Sequence, residues 1–169
     1  SVDLVDNNVT KQDLGALTIG DGGTAKSVTM TTAITVSSVN ITAAATLIST
    51  SGILTVGGSF TNSNVFTHSS GTLLFTATGT VTSGSSSLNN VTTSGTGTTT
   101  FANTAHTIAG NVSIGGGTTL VGSTGIISVG GNWANSGSFT HNSGTVTLNG
   151  AALQTISGTL TGATGMFNN

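Results

Sequence analysis

Three histidines and four aspartates are the side chains of this sequence that could do chemistry, and their placement limits what that chemistry can be. His68 and His141 each follow a short apolar segment and occupy equivalent places in an internal repeat, with His106 between them. All four aspartates lie between residues 3 and 21, and glutamate, arginine and cysteine are absent. Imidazoles and carboxylates bind metals and transfer protons when they converge on one point. Their wide separation instead favours histidines that belong to turns.

The charge distribution argues against catalysis. All six formally charged residues lie at positions 3–26, so residues 27–169 carry no formal charge. Hydrolysis by a carboxylate pair needs charged groups close together on one face. We therefore expect no enzyme activity, no catalytic residues, no cofactor and no metal site. The net charge of −2 predicts no nucleic-acid partner. The absence of any apolar run of about 18 residues predicts no membrane insertion.

The elements that must position these residues are short strands. The recurring unit is an apolar–polar–apolar triplet bounded by Gly, Ser or Asn, as at residues 54–56, 112–114 and 146–148. This alternation has the period of a strand with one buried face. Frequent glycine and β-branched apolar residues disfavour helix. The sequence therefore predicts an all-β chain.

An internal repeat organises the chain. Residues 54–62 return as residues 127–135, and the match continues at the same offset from Phe66 to Phe139. Repeats of this kind are typical of stacked architectures. The predicted parts of one continuous structural domain are a divergent N-terminal arm at 1–16, a first solenoid copy at 17–90 and a second copy at 91–169.

A shorter, 19-residue period lies within each copy. It links Val28, Leu47 and Phe66, and the same step leads from Ile41 to Phe60. This step suits one turn of a parallel β-solenoid, whose inward side chains stack over one another from turn to turn. The sequence then predicts about nine rungs, four of them in each copy, and a rod on the order of 40 Å long. A β-sandwich, which also uses many short strands, is the alternative fold.

A threonine series follows the same 19-residue step. Its members are Thr42, Thr61, Thr80, Thr99 and Thr118. A ladder of paired T-x-T hydroxyls on one solenoid face is typical of ice-binding proteins. The residues two positions before each of these threonines are a mixture of Asn, Ser, Thr and Gly. This register therefore predicts an unpaired ladder, which disfavours ice binding.

The second copy carries a recognisable series of motifs. Residues 131–140 read Gly-Asn-Trp-Ala-Asn-Ser-Gly-Ser-Phe-Thr, residues 143–150 read Ser-Gly-Thr-Val-Thr-Leu-Asn-Gly, and residues 154–158 read Gln-Thr-Ile-Ser-Gly. The series resembles the G-N-W, S-G-T-V-x-F-N-G and Q-x-I-x-G repeats of bacterial secreted β-helical surface proteins of the autotransporter or adhesin type. The first copy matches in part, with Ser59 and Phe60 at the place of the Asn-Trp pair. The resemblance implies an extracellular or cell-surface location, long repetitive arrays and no catalytic residues.

These features predict a structural subunit of an extracellular filament or surface fibre. Open solenoid ends expose unpaired strand edges, which can add a further strand layer. Residues 5–10 echo residues 88–92, so the tail of one chain could meet the head of the next as if the repeat continued. We expect head-to-tail self-association into a homopolymer, through these ends, the N-terminal arm or both. The residues expected to take part are Val5, Asn7, Asn8, Val9, Phe167, Asn168 and Asn169.

Glycosylation is a second way in which the surface could be used. The chain has four N-x-S/T sequons, at Asn8, Asn40, Asn90 and Asn111, and the last three lie beside strand residues where an outward side chain could carry a glycan. The second function hypothesis is an adhesin or surface-stalk fragment that presents a glycan-, surface- or ice-binding face. A second copy of the chain and glycans are therefore the partners considered.

Overall fold

The protein is an all-β chain of short parallel strands. The computed structural model describes residues 1–102, 105–160 and Phe167, and these residues contain strands and turns but no helix. Every strand pair in this part of the chain is parallel. The predicted parallel β-solenoid is confirmed. The β-sandwich alternative is wrong, because its sheets are built from antiparallel pairs.

The strand bounds follow the predicted triplets. In chain order the strands are β1 (Val2–Leu4), β2 (Ala16–Ile19), β3 (Lys26–Met30), β4 (Ile34–Val36), β5 (Ser38–Ile41), β6 (Ala45–Ile48), β7 (Ile53–Val56), β8 (Phe60–Asn62), β9 (Val65–Thr67), β10 (Thr72–Phe75), β11 (Gly79–Thr82), β12 (Asn90–Thr93), β13 (Gly97–Phe101), β14 (Ala105–Ile108), β15 (Val112–Ile114), β16 (Thr118–Val121), β17 (Ile126–Val129), β18 (Trp133–Asn135), β19 (Ser138–Thr140), β20 (Thr145–Leu148) and β21 (Ile156–Gly158).

These strands form three faces, which each turn visits in the order face 1, face 2, face 3. Face 1 is a sheet of β2, β5, β8, β11, β13, β16 and β19. Face 2 holds β1, β3, β6 and β9, followed by a separate sheet of β14, β17 and β20. Face 3 is a sheet of β4, β7, β10, β12, β15, β18 and β21. The cross-section is therefore a triangle with one strand on each side.

The described chain makes seven turns, so the prediction of nine rungs was wrong. The turns differ in length, since the step from Leu73 to its partner Val91 is shorter than the step from Trp133 to its partner Ile156. This variation arises because the corners between strands differ in length. At about 4.8 Å per turn, the seven turns span on the order of 34 Å.

Face 2 is interrupted at the fourth turn. Between β11 and β12 the chain forms no face 2 strand, and a single parallel bridge joins Leu88 to Ile108. Leu88 is nonetheless fully buried. The fourth turn therefore keeps its inward apolar residue on this side but loses the strand ladder around it.

The two sequence copies lie on different faces. Phe60 is on face 1 and its counterpart Trp133 is on face 3, while Phe66 is on face 2 and its counterpart Phe139 is on face 1. The offset between the copies corresponds to eleven sides of the triangle, which is three and two-thirds turns. Equivalent residues of the two copies therefore lie on neighbouring faces. Each copy makes fewer turns than the four that the sequence predicted.

The core is a continuous column of inward side chains. Val28, Leu47 and Phe66 stack in the predicted 19-residue register. Phe60, however, stacks on Val39 and not on Ile41, because the step between these turns is two positions longer than predicted. Burial of each such side chain contributes about 1.5–3 kcal/mol, and no single turn could bury its own face alone.

The N-terminal segment lies on the solenoid itself. Strand β1 pairs with β3 on face 2, Asp13 bridges to Thr35 on face 3, and Leu4 packs against the core. Residues 1–15 thus form an incomplete turn that precedes the first full one. In the described part of the chain, no helix is long and apolar enough to cross a membrane.

Candidate functional site

The two ends of the rod are the first candidate site, because their strand edges carry no further ladder within the described residues. At the N-terminal end the outermost strands are β1 on face 2 and β2 on face 1. At the C-terminal end they are β19, β20 and β21, one on each face. All of them run in the same direction as the strands that they would meet in a stacked neighbour.

Exposed apolar side chains concentrate at these ends. Among the described residues, ten large apolar side chains are exposed. Four lie in the N-terminal segment and three at the C-terminal end, namely Val2, Val5, Val9, Leu14, Leu153, Ile156 and Leu160. Along the described part of the shaft, the large apolar side chains that are exposed are those of Ile53, Val65 and Ile126. Exposed apolar groups that cluster in this way are typical of contact surfaces.

The predicted N-terminal assembly residues lie together in one loop. Val5, Asn7, Asn8 and Val9 are all exposed, and Val9 is fully so. Asp6 holds the loop in place: its backbone N–H donates to Thr32 Oγ1 at 2.8 Å and its Oδ1 accepts the N–H of Asn8 at 2.9 Å. Lys11 Nζ lies 3.8 Å from the buried Asp6 carboxylate and also donates to its backbone oxygen. The loop is therefore tied to the first turn while its apolar residues point outward.

A cavity of about 390 Å³ opens at the N-terminal end of the rod, beside Val2 of β1. It lies between β2 and β3, where no complete turn precedes the first one, and its lining includes Val2, Ile19 and Val28. Ile19 is buried and Val28 is half-buried. The end of the apolar core is thus reachable from the N-terminal end of the rod.

The C-terminal end is apolar and carries no formal charge. Phe167 is half-buried and packs edge-on against Trp133 and Phe139, at centroid distances of 5.3 and 5.9 Å. Gln154 fastens the last turn, since its Oε1 accepts the N–H of Gly150 at 2.7 Å and its Nε2 donates to the Val129 oxygen at 2.9 Å. Asn168 and Asn169 lie outside the described residues, so their predicted role stays a prediction.

His68 and His141 are turn histidines, as their spacing suggested. In each turn the Nδ1 atom accepts the N–H two residues on, from Ser70 at 3.0 Å and from Ser143 at 2.9 Å. The residues between histidine and glycine have φ between 47° and 62° in both turns. A Cβ on Gly71, which closes the first turn, would collide with the Thr50 carbonyl. The two imidazoles therefore stabilise left-handed corners, on two different edges of the rod.

His106 is buried in the core, which the sequence did not indicate. Its Nδ1 shares a hydrogen bond with Ser83 Oγ at 2.9 Å, and its ring lies 4.3 Å from that of Phe101. Nε2 has no hydrogen-bond partner among the described residues. Burial lowers the pKa of His106 to about 4, because the charged imidazolium loses its hydration there. His106 is therefore a neutral packing residue at ordinary pH.

The aspartates do not come together. Asp21 accepts hydrogen bonds from the backbone N–H groups of Thr24 and Gly23, both at 3.0 Å, and these bonds hold the pKa of its carboxyl well below the usual range. Within the described residues, no three His, Cys, Asp or Glu side chains are grouped so that they could hold a metal ion.

The predicted sequons have different environments. Asn8 and Asn40 are exposed, the second on the outer surface of face 1. Asn90 and Asn111 belong to a ladder along one edge of face 3, where the Asn90 Oδ1 accepts the N–H of Asn111 at 2.9 Å and the Asn111 Oδ1 accepts that of Asn132 at 2.7 Å. Asn90 is half-buried and Asn111 is exposed, and both side chains already cap neighbouring turns, so Asn8 and Asn40 are the positions where a glycan would not disturb this ladder.

The outer surface of face 1 carries a hydroxyl array that the 19-residue register had hidden. Each face 1 strand from β5 to β19 presents two outward residues, two positions apart, where the pair at β8 includes Ser59 just before the strand, and the next turn continues at least one of the two columns. The pairs are Ser38 and Asn40, Ser59 and Thr61, Thr80 and Thr82, Thr98 and Thr100, Thr119 and Val121, and Ser138 and Thr140. Ten of these twelve side chains are Ser or Thr.

The predicted threonine ladder was therefore in the wrong register. Thr61 stacks on Asn40 and Thr82, whereas Thr99 and Thr118 point into the core and are buried. The true steps on this face are mostly one or two positions longer than the predicted step, so a search at the shorter step misses the array.

Comparison of the chain with family models, with curated proteins and with solved structures finds no match, so its geometry is the basis for a proposed function.

Proposed function

We propose that the protein is a non-catalytic structural rod that assembles end to end into an extracellular filament or surface fibre. The observation that carries the proposal is the pair of complementary ends. Strand edges with the same direction lie at both ends of the rod, and most exposed large apolar side chains of the described residues lie there too. Unpaired edges of this kind add strands from another chain.

Two copies of the rod could stack end to end because both ends have the same triangular cross-section. β19 can continue the face 1 sheet onto β2 of the next copy, and β20 can continue face 2 onto β1. On face 3, β21 would meet the edge at which Asp13 bridges to Thr35. Each junction then extends an existing parallel ladder and covers exposed side chains such as Val2 and Ile156.

The carboxylates of Asp3 and Asp13 do not block this contact, and Asp21 and Lys26, which line the N-terminal cavity, carry opposite charges. Asp3 pairs with Thr29 and faces outward from face 2, and Asp13 pairs with Thr35 in the outward column of face 3. These carboxylates point sideways and remain hydrated in a stack. Asp6, which is buried, already has Lys11 beside it. A contact between two copies is heterologous and does not close, so it propagates into a filament.

An extracellular location is part of the same proposal. A shaft without formal charge from residue 27 onward would have little colloidal stability as a freely diffusing protein. It suits a molecule that is held in an assembly. Immunogold labelling of intact cells tests the location, since a label seen only after permeabilisation would contradict it.

Electron microscopy of the purified chain tests the assembly. We expect filaments with an axial repeat on the order of 35 Å and a fibre reflection at about 4.8 Å. Val2→Lys and Ile156→Lys each place a charge at one end and should abolish filaments. Ile126→Lys is the matched control, because Ile126 is similarly exposed but lies on the shaft, and it should still assemble.

Mixing the two end variants sharpens the test. Val2→Lys keeps an intact C-terminal end and Ile156→Lys an intact N-terminal end, so an equimolar mixture should form dimers and no longer species. Light scattering after size-exclusion chromatography measures this. Monodisperse wild-type rods at high concentration would contradict the proposal and favour the alternative, a stalk segment of an adhesin.

A further inference from the structure

We propose that face 1 of the rod is an ice-binding surface. The inference goes beyond end-to-end assembly and is carried by a different part of the molecule, the sides of the rod rather than its tips. It rests on the arrangement of outward hydroxyl groups, on the absence of charge beside them, and on where the aromatic side chains lie.

The hydroxyl groups of face 1 form a two-dimensional lattice. Along a strand, outward residues two positions apart are separated by about 6.6 Å, and from turn to turn the separation is about 4.8 Å. Both distances are close to oxygen repeat distances on the prism surfaces of hexagonal ice. Thr80 and Thr82 form one T-x-T row, and Thr98 and Thr100 form the row on the next turn, with Thr100 directly over Thr80.

The lattice is held rigidly. Threonine is β-branched, so that its χ1 angle is restricted on a strand. The Thr80 N–H donates to Ser59 Oγ at 3.1 Å, which fixes a hydroxyl of the array between two turns, and the Thr98 N–H donates to the neighbouring Thr78 Oγ1 at 3.2 Å. Positions that are fixed before binding lower the entropy cost of ordering water molecules on them.

The outer surfaces of the other two faces lack this lattice. On face 3 the central outward column is interrupted by Leu74 and Ala134, and on face 2 the outward residues include Ile48, Val65 and Ile126. Face 2 also loses its strand at the fourth turn. Face 1 alone combines an unbroken ladder with paired hydroxyls along the described turns.

The lack of charged and of exposed aromatic side chains on face 1 favours ice over charged surfaces and sugars as the ligand of this face. The outward residues of face 1 from Ser38 to Thr140 carry no charge, which matches an uncharged crystal surface. Sugar rings generally bind on exposed aromatic side chains. Here Trp133 is buried, as are five of the six phenylalanines, and Phe167 is half-buried against them. Hydroxyl groups can both donate and accept hydrogen bonds to water, while the threonine methyl groups cover the space between them.

Partition into growing ice tests the proposal. Fluorescently labelled wild-type chain is expected to concentrate in a slowly grown ice hemisphere and to show thermal hysteresis. Thr80→Lys puts a charge in the middle of the lattice and should reduce both to the level of a non-binding protein. Thr92→Lys is the matched control, because Thr92 is an outward threonine on face 3, and it should bind ice like the wild type.

A gain-of-function variant completes the test. Val121 stands between Thr100 and Thr140 in the hydroxyl column, so Val121→Thr should increase thermal hysteresis. Circular dichroism melts establish that all variants fold. Exclusion of the wild type from ice, equal loss in Thr80→Lys and Thr92→Lys, or binding to crystalline chitin or cellulose in place of ice would each overturn the proposal. Ile156→Lys, measured beside the wild type, separates this result from filament assembly.

Discussion

The two sequence copies make the same internal contacts on different faces of the rod. In the first copy, Phe60 on face 1 meets Phe66 on face 2 edge-on, with centroids 5.0 Å apart and an interplanar angle of 78°. In the second, Trp133 on face 3 meets Phe139 on face 1 at 4.8 Å and 77°. The corner between two strands is therefore specified by its local sequence and does not depend on which side of the triangle it occupies.

The same comparison extends to the buried asparagines. Asn62 and Asn135 each accept a backbone N–H from two residues on, at 3.1 Å in both copies. Each also donates from Nδ2 to a carbonyl on the next turn, that of Ser83 at 2.8 Å and that of Thr159 at 3.0 Å. These aromatic and asparagine contacts are common to both copies, so they carry the fold in each, and the outer surface is free to carry a function.

The largest expected effect is on the stability of the two edge-on aromatic pairs, Phe60 with Phe66 and Trp133 with Phe139, and it tests whether they are equivalent. Phe60→Ala and Trp133→Ala should each lower the free energy of unfolding by about 3–5 kcal/mol, because both side chains are fully buried. Urea denaturation followed by circular dichroism measures it. Thr92→Ala, an outward control, should stay within about 0.5 kcal/mol. A loss confined to one copy would show that the matching geometry does not reflect matching energetics.

The second prediction concerns His106, a buried titratable side chain of the second copy, whereas the histidine of the first copy, His68, lies in a turn. The folded pKa of about 4 lies below the unfolded value of 6.5, so the unfolded chain takes up the proton first as the pH falls. Stability should be full above pH 6.5 and should fall by about 3 kcal/mol as the pH drops through the folded pKa.

The free energy of unfolding, measured at intervals from pH 7 to pH 4, checks this prediction. His106→Leu should remove the dependence over that range, whereas His68→Gln, a change in an exposed turn, should keep it. A wild-type curve that stays level between these pH values would contradict the proposed burial cost.

The smallest effect uses a natural difference between the two histidine turns. Ser69 has φ of 47° and its counterpart Asn142 has φ of 52°, and asparagine adopts this left-handed region more readily than serine. Ser69→Asn should therefore stabilise the rod by less than about 1 kcal/mol. Asn142→Ser should destabilise it by a larger amount, because it also removes the hydrogen bond from Asn142 Nδ2 to the Gly122 carbonyl at 3.1 Å. Thermal melts of both variants measure the difference, and shifts of the same sign would refute the explanation.

The alternation of strands and the inward stacking could be predicted because they depend on local residue patterns. Val28, Leu47 and Phe66 occupy strands on one face, separated by turns of equal length, and their 19-residue step proved correct. The step from Ile41 to Phe60 was wrong by two residues. A shift of two keeps every side chain on the same side of its strand, so hydrophobic alternation cannot reveal it.

The hydroxyl array was hidden by the same kind of shift. Thr100 is placed over Thr80, and Thr82 over Thr61, only when the corner lengths are known. Corner length depends on turn conformations such as those at Ser69 and Ser70, where residues other than glycine adopt positive φ. Composition alone does not predict these conformations. The burial of His106 was missed for a related reason, since the spacing gave no indication that its position faces inward.

Every formal charge lies at residues 3–26, so the rod is charged at its N-terminal end and neutral along the rest of its length. At physiological ionic strength the Debye length is about 8 Å, much less than the length of seven turns. A charged surface that attracts or repels the first turn is therefore not felt at the far tip. Salt should therefore change how the molecule orients on such a surface, because it screens the charged end and has no charge to screen on the neutral shaft. The orientation of the rod would then depend on the local ionic strength.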